Sequence, residues 1–239
     1  MRPNRPVNPD ARKSSRTYPS NWEIPCRASA GRISDGYFKL NVTMYTQQQI
    51  IDKILPYRME STSILNLALR YVIDWDKPKS LEIRFDGKTC IEGLSTAFTN
   101  AAIESGIMHC RALLEFLGLK ADNSDHTKLA SRTGKRKDDL VIEDFTGPNG
   151  QLARITIDEA LSPYKGARDE AENALARVTH IANKGIAHST LGPVDDPEDL
   201  RLLEIASRGV PTLVINYFYT RMGLKAPDYQ LRSRKRDDV

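Results

Sequence analysis

Apolar residues recur at helical spacing in four segments between residues 46 and 223. The first segment, residues 46–74, is predicted to be helical because its apolar side chains fall on one face: Ile50, Ile54, Leu65, Ala68 and Val72. Pro56 lacks an amide hydrogen and is expected to kink or split this helix. Residues 77–88 instead place Leu81, Ile83 and Phe85 at every second position before an Asp-Gly pair, which predicts a short strand entering a turn.

The second helix is predicted to resume near Ile91, to run from about Glu92 to Leu117 and to stop at Gly118. Seven residues at three- and four-residue spacing predict its inward stripe: Leu94, Phe98, Ala101, Ser105, His109, Ala112 and Phe116. Residues 120–157 follow as a long polar insertion, of a length that is often functional or mobile. In it, residues 140–145 and 152–157 are expected to pair as a hairpin.

The third helix is expected to open with Ser162 as its N-cap and Pro163 at its first position, and to continue to about Thr190. A competing interpretation ends it at Gly185. The fourth helix has Asp196 before Pro197, acidic residues in its first turn and a kink expected at Pro211. Its inward positions are predicted to be Leu200, Leu203, Val210, Leu213, Val214 and Tyr217.

These elements predict a mainly α fold, a helical bundle of four to five helices with a small β-hairpin or irregular insertion. The bundle domain is expected to span residues 41–223. The flanking residues 1–40 and 224–239 are rich in Arg, Lys, Pro and Ser and poor in large apolar side chains, so we expect disordered basic tails.

Composition narrows the class of protein further. The three cysteines, Cys26, Cys90 and Cys110, are odd in number and widely spaced, which argues against a disulfide framework and a thiolate zinc site. No run of 18 apolar residues and no apolar segment after the basic N-terminal residues is present, so we expect a cytoplasmic protein without a membrane span. The net charge of +4 is mild, and its basic tails either attract phosphates or only keep the chain soluble.

Candidate chemistry lies first on the third helix. Five polar residues fall within an arc of about 80° at the border of its apolar sector, when 100° is allowed per residue: Asn173, Arg177, His180, Lys184 and His188. Partly desolvated cations of this kind hold phosphates, and His188 can exchange protons near neutral pH. The alternative is an ordinary solvated flank of the helix.

The second helix carries His109 near the centre of its predicted inward face, beside Arg111. A histidine in that position is either a satisfied core group or one half of a site shared with the third helix. A metal site is not expected, because His180 and His188 are separated by about 12 Å along a helix. Asp122, Asp125 and His126 form a weaker candidate group for a hard cation. No nucleotide, dinucleotide or serine-hydrolase motif is present, so no cofactor is expected.

Residues 102–117, AIESGIMHCRALLEFL, together with residues 183–188, NKGIAH, resemble the HEPN-like helical-bundle proteins. The resemblance covers about a quarter of the chain. It implies a bundle of four or five helices that often dimerises. Many members are metal-independent endoribonucleases of toxin, antiviral and RNA-processing systems, and others are inactive scaffolds.

The catalytic signature of that family places an Arg four to six intervening positions ahead of the His. Counted back from His188, the Arg is expected at residues 181–183, which are Ile, Ala and Asn, and Lys184 is the nearest cation. If activity is retained, the resemblance implies that His188 acts as general base or acid. Lys184 and Arg111 then stabilise the phosphate charge and Asn183 orients the backbone, with His109, Arg177 and His180 as further binding residues.

Two hypotheses follow. The first is an RNA-directed helical bundle in a defence or stress setting, either binding RNA or cleaving it as a divergent endoribonuclease, with affinity that falls steeply with salt. The second is a non-catalytic module for dimerisation or protein interaction, which predicts an exposed apolar patch. In both cases we expect a homodimer. A small-molecule enzyme that uses residues 120–157 as a lid has weaker support.

Overall fold

The computed structural model describes residues 45–136, 139–186 and 196–230, and these are mainly α-helical, as predicted. The α-helices are α1 (Gln47–Gln49), α2 (Leu55–Asp74), α3 (Thr96–Leu117), α4 (Ile157–Leu161), α5 (Arg168–Ile181) and α6 (Pro197–Val214). The π-helical segments are Ile50–Ile54, Ala182–Ile186 and Ile215–Tyr219. Small antiparallel sheets pair β1 (Ser80–Phe85) with β2 (Lys88–Leu94), β3 (Leu119–Ala121) with β4 (Leu129–Ser131), and β5 (Thr146–Gly147) with β6 (Gly150–Gln151).

The four long helices pack around one apolar core, with α2 against α3 and α6, and α5 against α6 and α3. The helices α2 and α3 approach each other closely at Gly106. A Cβ atom added there would lie 2.3 Å from Cβ of Leu65 and 3.0 Å from the carbonyl oxygen of Ser61. The absence of a side chain at Gly106 therefore sets the distance between these two helices. Asn66 of α2 also donates hydrogen bonds to Glu204 and Ser207 of α6.

Pro56 disturbs the first helix without ending it. The preceding residues 50–54 are π-helical, and the amide of Leu55 bonds to the carbonyl of Ile50. Because proline has no amide hydrogen, the carbonyl of Ile51 loses its π-helical donor. The hydroxyl of Tyr219, in the last π-helical segment, donates to that carbonyl at 2.9 Å. Tyr219 is buried, so this bond satisfies an acceptor that would otherwise cost free energy.

The strand predicted after the first helix is present, but it belongs to a hairpin that continues through Leu94. The expected start of the second helix at Glu92 is therefore wrong, since residues 92–94 pair with β1 and α3 begins at Thr96. Ser95 separates the strand from the helix, and its amide bonds to the carbonyl of Lys79. Helical spacing alone did not reveal that Ile91 pairs across the hairpin with Ile83.

The predicted inward stripe of α3 is correct at Phe116, which is buried, and at Phe98, which packs against the core, but its middle is wrong by about one position. Ala101 and Ser105 are exposed, and His109 and Ala112 are only half-buried. The buried face consists of Thr99, Ala102, Ile103, Gly106, Ile107, Cys110, Leu113, Leu114, Phe116 and Leu117. This face buries larger side chains, and it turns Gly106 toward α2 where the close contact requires it. Burial raises the pKa of the Cys110 thiol far above its usual range.

Residues 120–157 were expected to form a polar insertion, but much of this segment belongs to the core. Ile142 and Phe145 are fully buried, and the ring of Phe145 packs edge-on against Phe116 and Phe218. The predicted hairpin exists only as two residue pairs around the turn at residues 148–149, followed by a bond from the Leu152 amide to the Phe145 carbonyl. A 3-10 helix, Ile142–Asp144, takes the place of the expected first strand.

The prediction that Ser162 begins the third helix is wrong. Ser162 lies at the C-terminal cap of the short helix α4. Thr156 caps α4, and its hydroxyl accepts from the amide of Glu159 at 3.1 Å. A turn over residues 162–167 then leads into α5, so the helix starts later than expected. The helical backbone continues through Gly185 to Ile186, while the predicted extension to Thr190 lies outside the described residues.

The fourth helix follows its prediction closely. The carboxylate of Asp196 accepts from the amide of Glu198 at 2.9 Å, and Pro197 occupies the first helical turn. Pro211 lies inside α6, and the chain turns π-helical four residues later at Ile215. Residues 224–230, assigned to the basic C-terminal tail, contain no helix or strand, and Tyr229 is half-buried against the core.

We expect Gly106→Ala to lower the free energy of unfolding by about 1–3 kcal/mol, because the added methyl group must separate α2 from α3. The matched control is Gly209→Ala in α6, where the new Cβ would meet only Cδ2 of Leu175 at 3.8 Å. This second substitution should raise the free energy of unfolding by up to about 1 kcal/mol through helix propensity. Urea unfolding followed by circular dichroism measures both, and equal effects would contradict the close α2–α3 contact.

Candidate functional site

One group of polar side chains forms where α2 and α3 meet. Nη1 of Arg58 lies 3.4 Å from Nδ1 of His109, and the ring of Tyr57 meets the imidazole edge-on with 5.1 Å between centroids. A guanidinium only donates, so Nδ1 of His109 accepts and the proton of the neutral ring lies on Nε2. We call Tyr57, Arg58, His109, Arg111 and Glu115 the Arg58 site.

The electrostatics of the Arg58 site favour an unpaired cation beside a neutral imidazole. Burial, and then the charge of Arg58, lower the pKa of His109 below its usual value. Burial also lowers the pKa of Arg58, against the attraction of Tyr57 and Glu115. Glu115 bonds instead to Nε of Arg111 at 2.8 Å. Within the described ranges, Arg58 forms no ion pair, whereas Arg111 is neutralised.

A second group forms around the start of α6 and the middle of α5. Nε and Nη2 of Arg177 donate to the two carboxylate oxygens of Asp199 at 2.6 and 2.7 Å. One turn further along α5, the ring of His180 stacks on that of His126, with centroids 3.9 Å apart. Burial lowers the pKa of His180, and so do the nearby charges of His126, Arg177 and Lys184. We call Arg177, Asp199, His180 and His126 the His180 site.

His126 reaches α5 because the β3–β4 turn is tightly hydrogen-bonded. The Asp122 carboxylate accepts from the hydroxyl of Ser124 and from the amides of Ser124 and Asp125, and these bonds lower the pKa of Asp122 to about 2. The Asp125 carboxylate accepts in the same way from Thr127. These carboxylates thus close a turn rather than gather around a cation. Among the described residues, no three His, Cys, Asp or Glu side chains are placed to hold a metal ion.

The structure distributes the predicted site residues over both groups. His109 and Arg111 lie in the Arg58 site, whereas Arg177 and His180 lie in the His180 site. Asn173 is half-buried on the same side of α5.

Asn183 is half-buried and Lys184 is exposed in the π-helical segment Ala182–Ile186, which packs against α3. His188 lies outside the described residues. The patch that His109 and His188 were expected to share therefore stays a prediction.

Several residues of these sites were not predicted. Arg58 and Tyr57 follow the proline that was expected to break the first helix, so nothing in the helical spacing marked them. Asp199 was read only as a favourable charge in the first turn of α6. The sequence groups His126 with Asp122 and Asp125 as a candidate for binding a cation. Its approach to His180 depends on the pairing of β3 with β4, which the sequence does not reveal.

None of the helices among the described residues is both long and apolar enough to cross a bilayer. No protein-family model matches the chain, and searches of curated proteins and of solved structures also find no significant match.

Both lowered histidine pKa values make stability depend on pH. As the pH falls below 6.5, the unfolded chain takes up protons before His109 and His180 do so in the fold. The free energy of unfolding should therefore fall between pH 6.5 and the folded pKa values, with no change from this cause above 6.5. We expect the double variant His109→Gln, His180→Gln to lose part of this decline in urea titrations. NMR titration that gives either imidazole a folded pKa at or above 6.5 would contradict the prediction.

Proposed function

We propose that this protein is an RNA-directed helical bundle that binds single-stranded RNA at the Arg58 site. The observation that carries the proposal is the guanidinium of Arg58, half-buried between α2 and α3 and without an ion pair among the described residues. Burial of an uncompensated charge costs free energy, which proteins usually offset with a carboxylate. An RNA phosphate would supply the missing negative charge.

The neighbours of Arg58 suit a nucleotide. The Tyr57 side chain is 57% exposed, which leaves a ring face for a base to stack on. The neutral His109 presents Nε2–H as a donor, and Arg111, whose charge Glu115 balances, adds further N–H donors at the edge. An aromatic ring beside a planar cation is a recurring platform for unpaired bases and their phosphates.

Long-range attraction to RNA comes from elsewhere in the chain. Acidic side chains slightly outnumber Lys and Arg in the described residues, so the net positive charge of the chain comes from residues 1–44 and 231–239. Many cations of the described part are bonded to carboxylates, as Arg177 is to Asp199 and Arg201 to Glu198. We therefore assign non-specific attraction to the basic ends and positioning to the Arg58 site.

The resemblance to HEPN-like proteins extends the proposal to metal-independent cleavage. His188 would act as general base or acid on the ribose hydroxyl and leaving oxygen, with Lys184 stabilising the phosphate and Asn183 orienting the backbone. Lysine is a point charge rather than a planar fork, so cleavage is expected to be slow. The packing of residues 182–186 against α3, the helix of His109, supports a common substrate surface.

We expect Arg58→Gln to weaken the binding of a fluorescein-labelled, mixed-sequence single-stranded RNA by about tenfold at low salt. The slope of log affinity against log salt should also fall by about 0.7, the value for one phosphate contact on a single strand. Fluorescence anisotropy in EDTA measures both quantities. Tyr57→Ala should weaken binding without a change in slope, because base stacking releases no counterions.

The matched control for Arg58→Gln is Arg168→Gln, which removes the same charge from an exposed position beside Asp158. Equal losses in both variants would contradict a role for the Arg58 site, and no binding by the wild type at low salt would remove RNA as the ligand. Under the same conditions, the His188→Ala variant should no longer cleave the RNA but should still bind it. Cleavage unchanged in His188→Ala would contradict the catalytic part of the proposal.

A second candidate function, self-association, is favoured by the β1–β2 hairpin. One face of this hairpin carries Leu81, Ile83, Phe85 and Ile91, and the last two side chains are 63% and 48% exposed. Leu81, Ile83 and Ile91 of this face, together with α2 and α3, line an apolar groove of about 790 Å³ including its open mouth. A two-stranded ribbon with an uncovered apolar face is marginally stable by itself in water. We propose that a second copy of the chain covers it in a homodimer.

The double variant Phe85→Ser, Ile91→Ser should convert this dimer to a monomer, because it removes the apolar area that the second copy would bury. The control is Leu94→Ser, which removes an exposed apolar side chain from the opposite face of the same hairpin. Sedimentation velocity measures the outcome. A monomeric wild type, or a double variant as dimeric as the control, would contradict the proposal.

A further inference from the structure

A cleft between α6 and the segment that joins α4 to α5 has the features of a ligand site. The space inside it is about 150 Å³, which is small for a drug-sized molecule but comparable to a cavity that holds a single benzene ring. The floor is apolar and consists of buried side chains from α4, α5 and α6, among them Ala160, Leu175, Ile205 and Leu213. The cleft shares no residue with the Arg58 site, and neither function proposed above uses it.

Gly209 opens the cleft. This glycine lies inside α6, where it costs about 1 kcal/mol relative to alanine. Packing does not require it, because an added Cβ would make only an ordinary contact with Leu175 at 3.8 Å. At Gly106 of α3, by contrast, the close contact with α2 leaves no space for a side chain. The missing side chain at position 209 therefore leaves space above the apolar floor.

The walls of the cleft are held in place by hydrogen bonds. The Tyr164 ring lies over Gly166, where an added Cβ would approach it to 2.6 Å. The hydroxyl of Tyr164 donates to Glu170, which also bonds to Arg201. This arrangement raises the pKa of Tyr164, first through its bond to Glu170. The ring is therefore held as a neutral apolar wall, and the cleft is preformed.

The rim carries one cation with donors to spare. Nη2 of Arg208 bonds to Glu204 at 2.7 Å, and the Arg208 side chain is 62% exposed. Among the described residues, Nε and Nη1 of Arg208 have no hydrogen-bond acceptor. A guanidinium above an apolar floor matches a molecule that has one apolar end and one carboxylate.

We propose that this cleft binds a small apolar carboxylate, with the hydrocarbon part on the floor below Gly209 and the carboxylate bonded to Arg208. Benzoate is a suitable probe, and benzamide is a neutral control of the same size. The full-length chain should bind benzoate with a dissociation constant of about 1 mM, as expected for a ligand of this size. Benzamide should bind about tenfold more weakly.

Two variants test the two halves of the cleft by titration calorimetry. Arg208→Gln, at an exposed position, should lower benzoate affinity to that of benzamide, whereas Arg84→Gln, an exposed arginine of the hairpin, should leave it unchanged. Gly209→Leu should fill the cleft and abolish binding of both probes. Equal affinity for the two probes in the wild type would overturn the proposal, as would benzoate binding unaffected by Arg208→Gln.

Circular dichroism checks whether the Gly209→Leu variant folds. A measurement on the wild type tests the proposal even if that variant does not fold. Benzoate should shift the NMR amide signals of Gly209 and Leu213 in a saturable manner. Shifts confined to other parts of the chain would overturn the proposal, and so would a folded Gly209→Leu variant that retains benzoate binding.

Discussion

The fold depends on the close contact of α2 and α3 at Gly106. With no side chain there, the α3 backbone lies against Leu65 and Ser61, and the apolar faces of both helices are buried on each other and on α6. The same contact sets the positions of both proposed functional surfaces. It brings Arg58 to His109 on one part of the helix pair, and it forms the floor of the groove beside the β1–β2 hairpin on another.

Charge is distributed in a way that separates attraction from positioning. Many carboxylates of the described part already have partners. Asp199 is bonded to an arginine, and Asp122 accepts hydrogen bonds that close a turn. Arg58 differs because a neutral imidazole takes the place of a carboxylate beside it. Within the described part, which has little net charge, a cation without an ion pair favours a ligand that is recognised at one point, whereas a uniformly basic surface would favour non-specific binding.

Local signals predicted that the long helices exist and where some of them begin or end. Asp196 and Pro197 mark the start of α6, and Gly118 ends α3 in the left-handed conformation. Signals that depend on the rest of the fold were missed.

The face of α3 could not be deduced from spacing, because two adjacent stripes both contain apolar residues and only contact with Leu65 selects one. For the same reason, the sequence did not predict the stacking of His126 on His180 or the approach of Arg58 to His109. Each joins side chains from elements whose pairing the sequence does not encode locally.

The bond between Tyr219 and Ile51 has a consequence for biosynthesis. It joins residues 168 positions apart, and it satisfies a carbonyl that Pro56 leaves without a backbone partner. This bond and the contact of α2 with α6 both need residues that are synthesised late. The native packing of the first helix can therefore be completed only after synthesis has passed Tyr219.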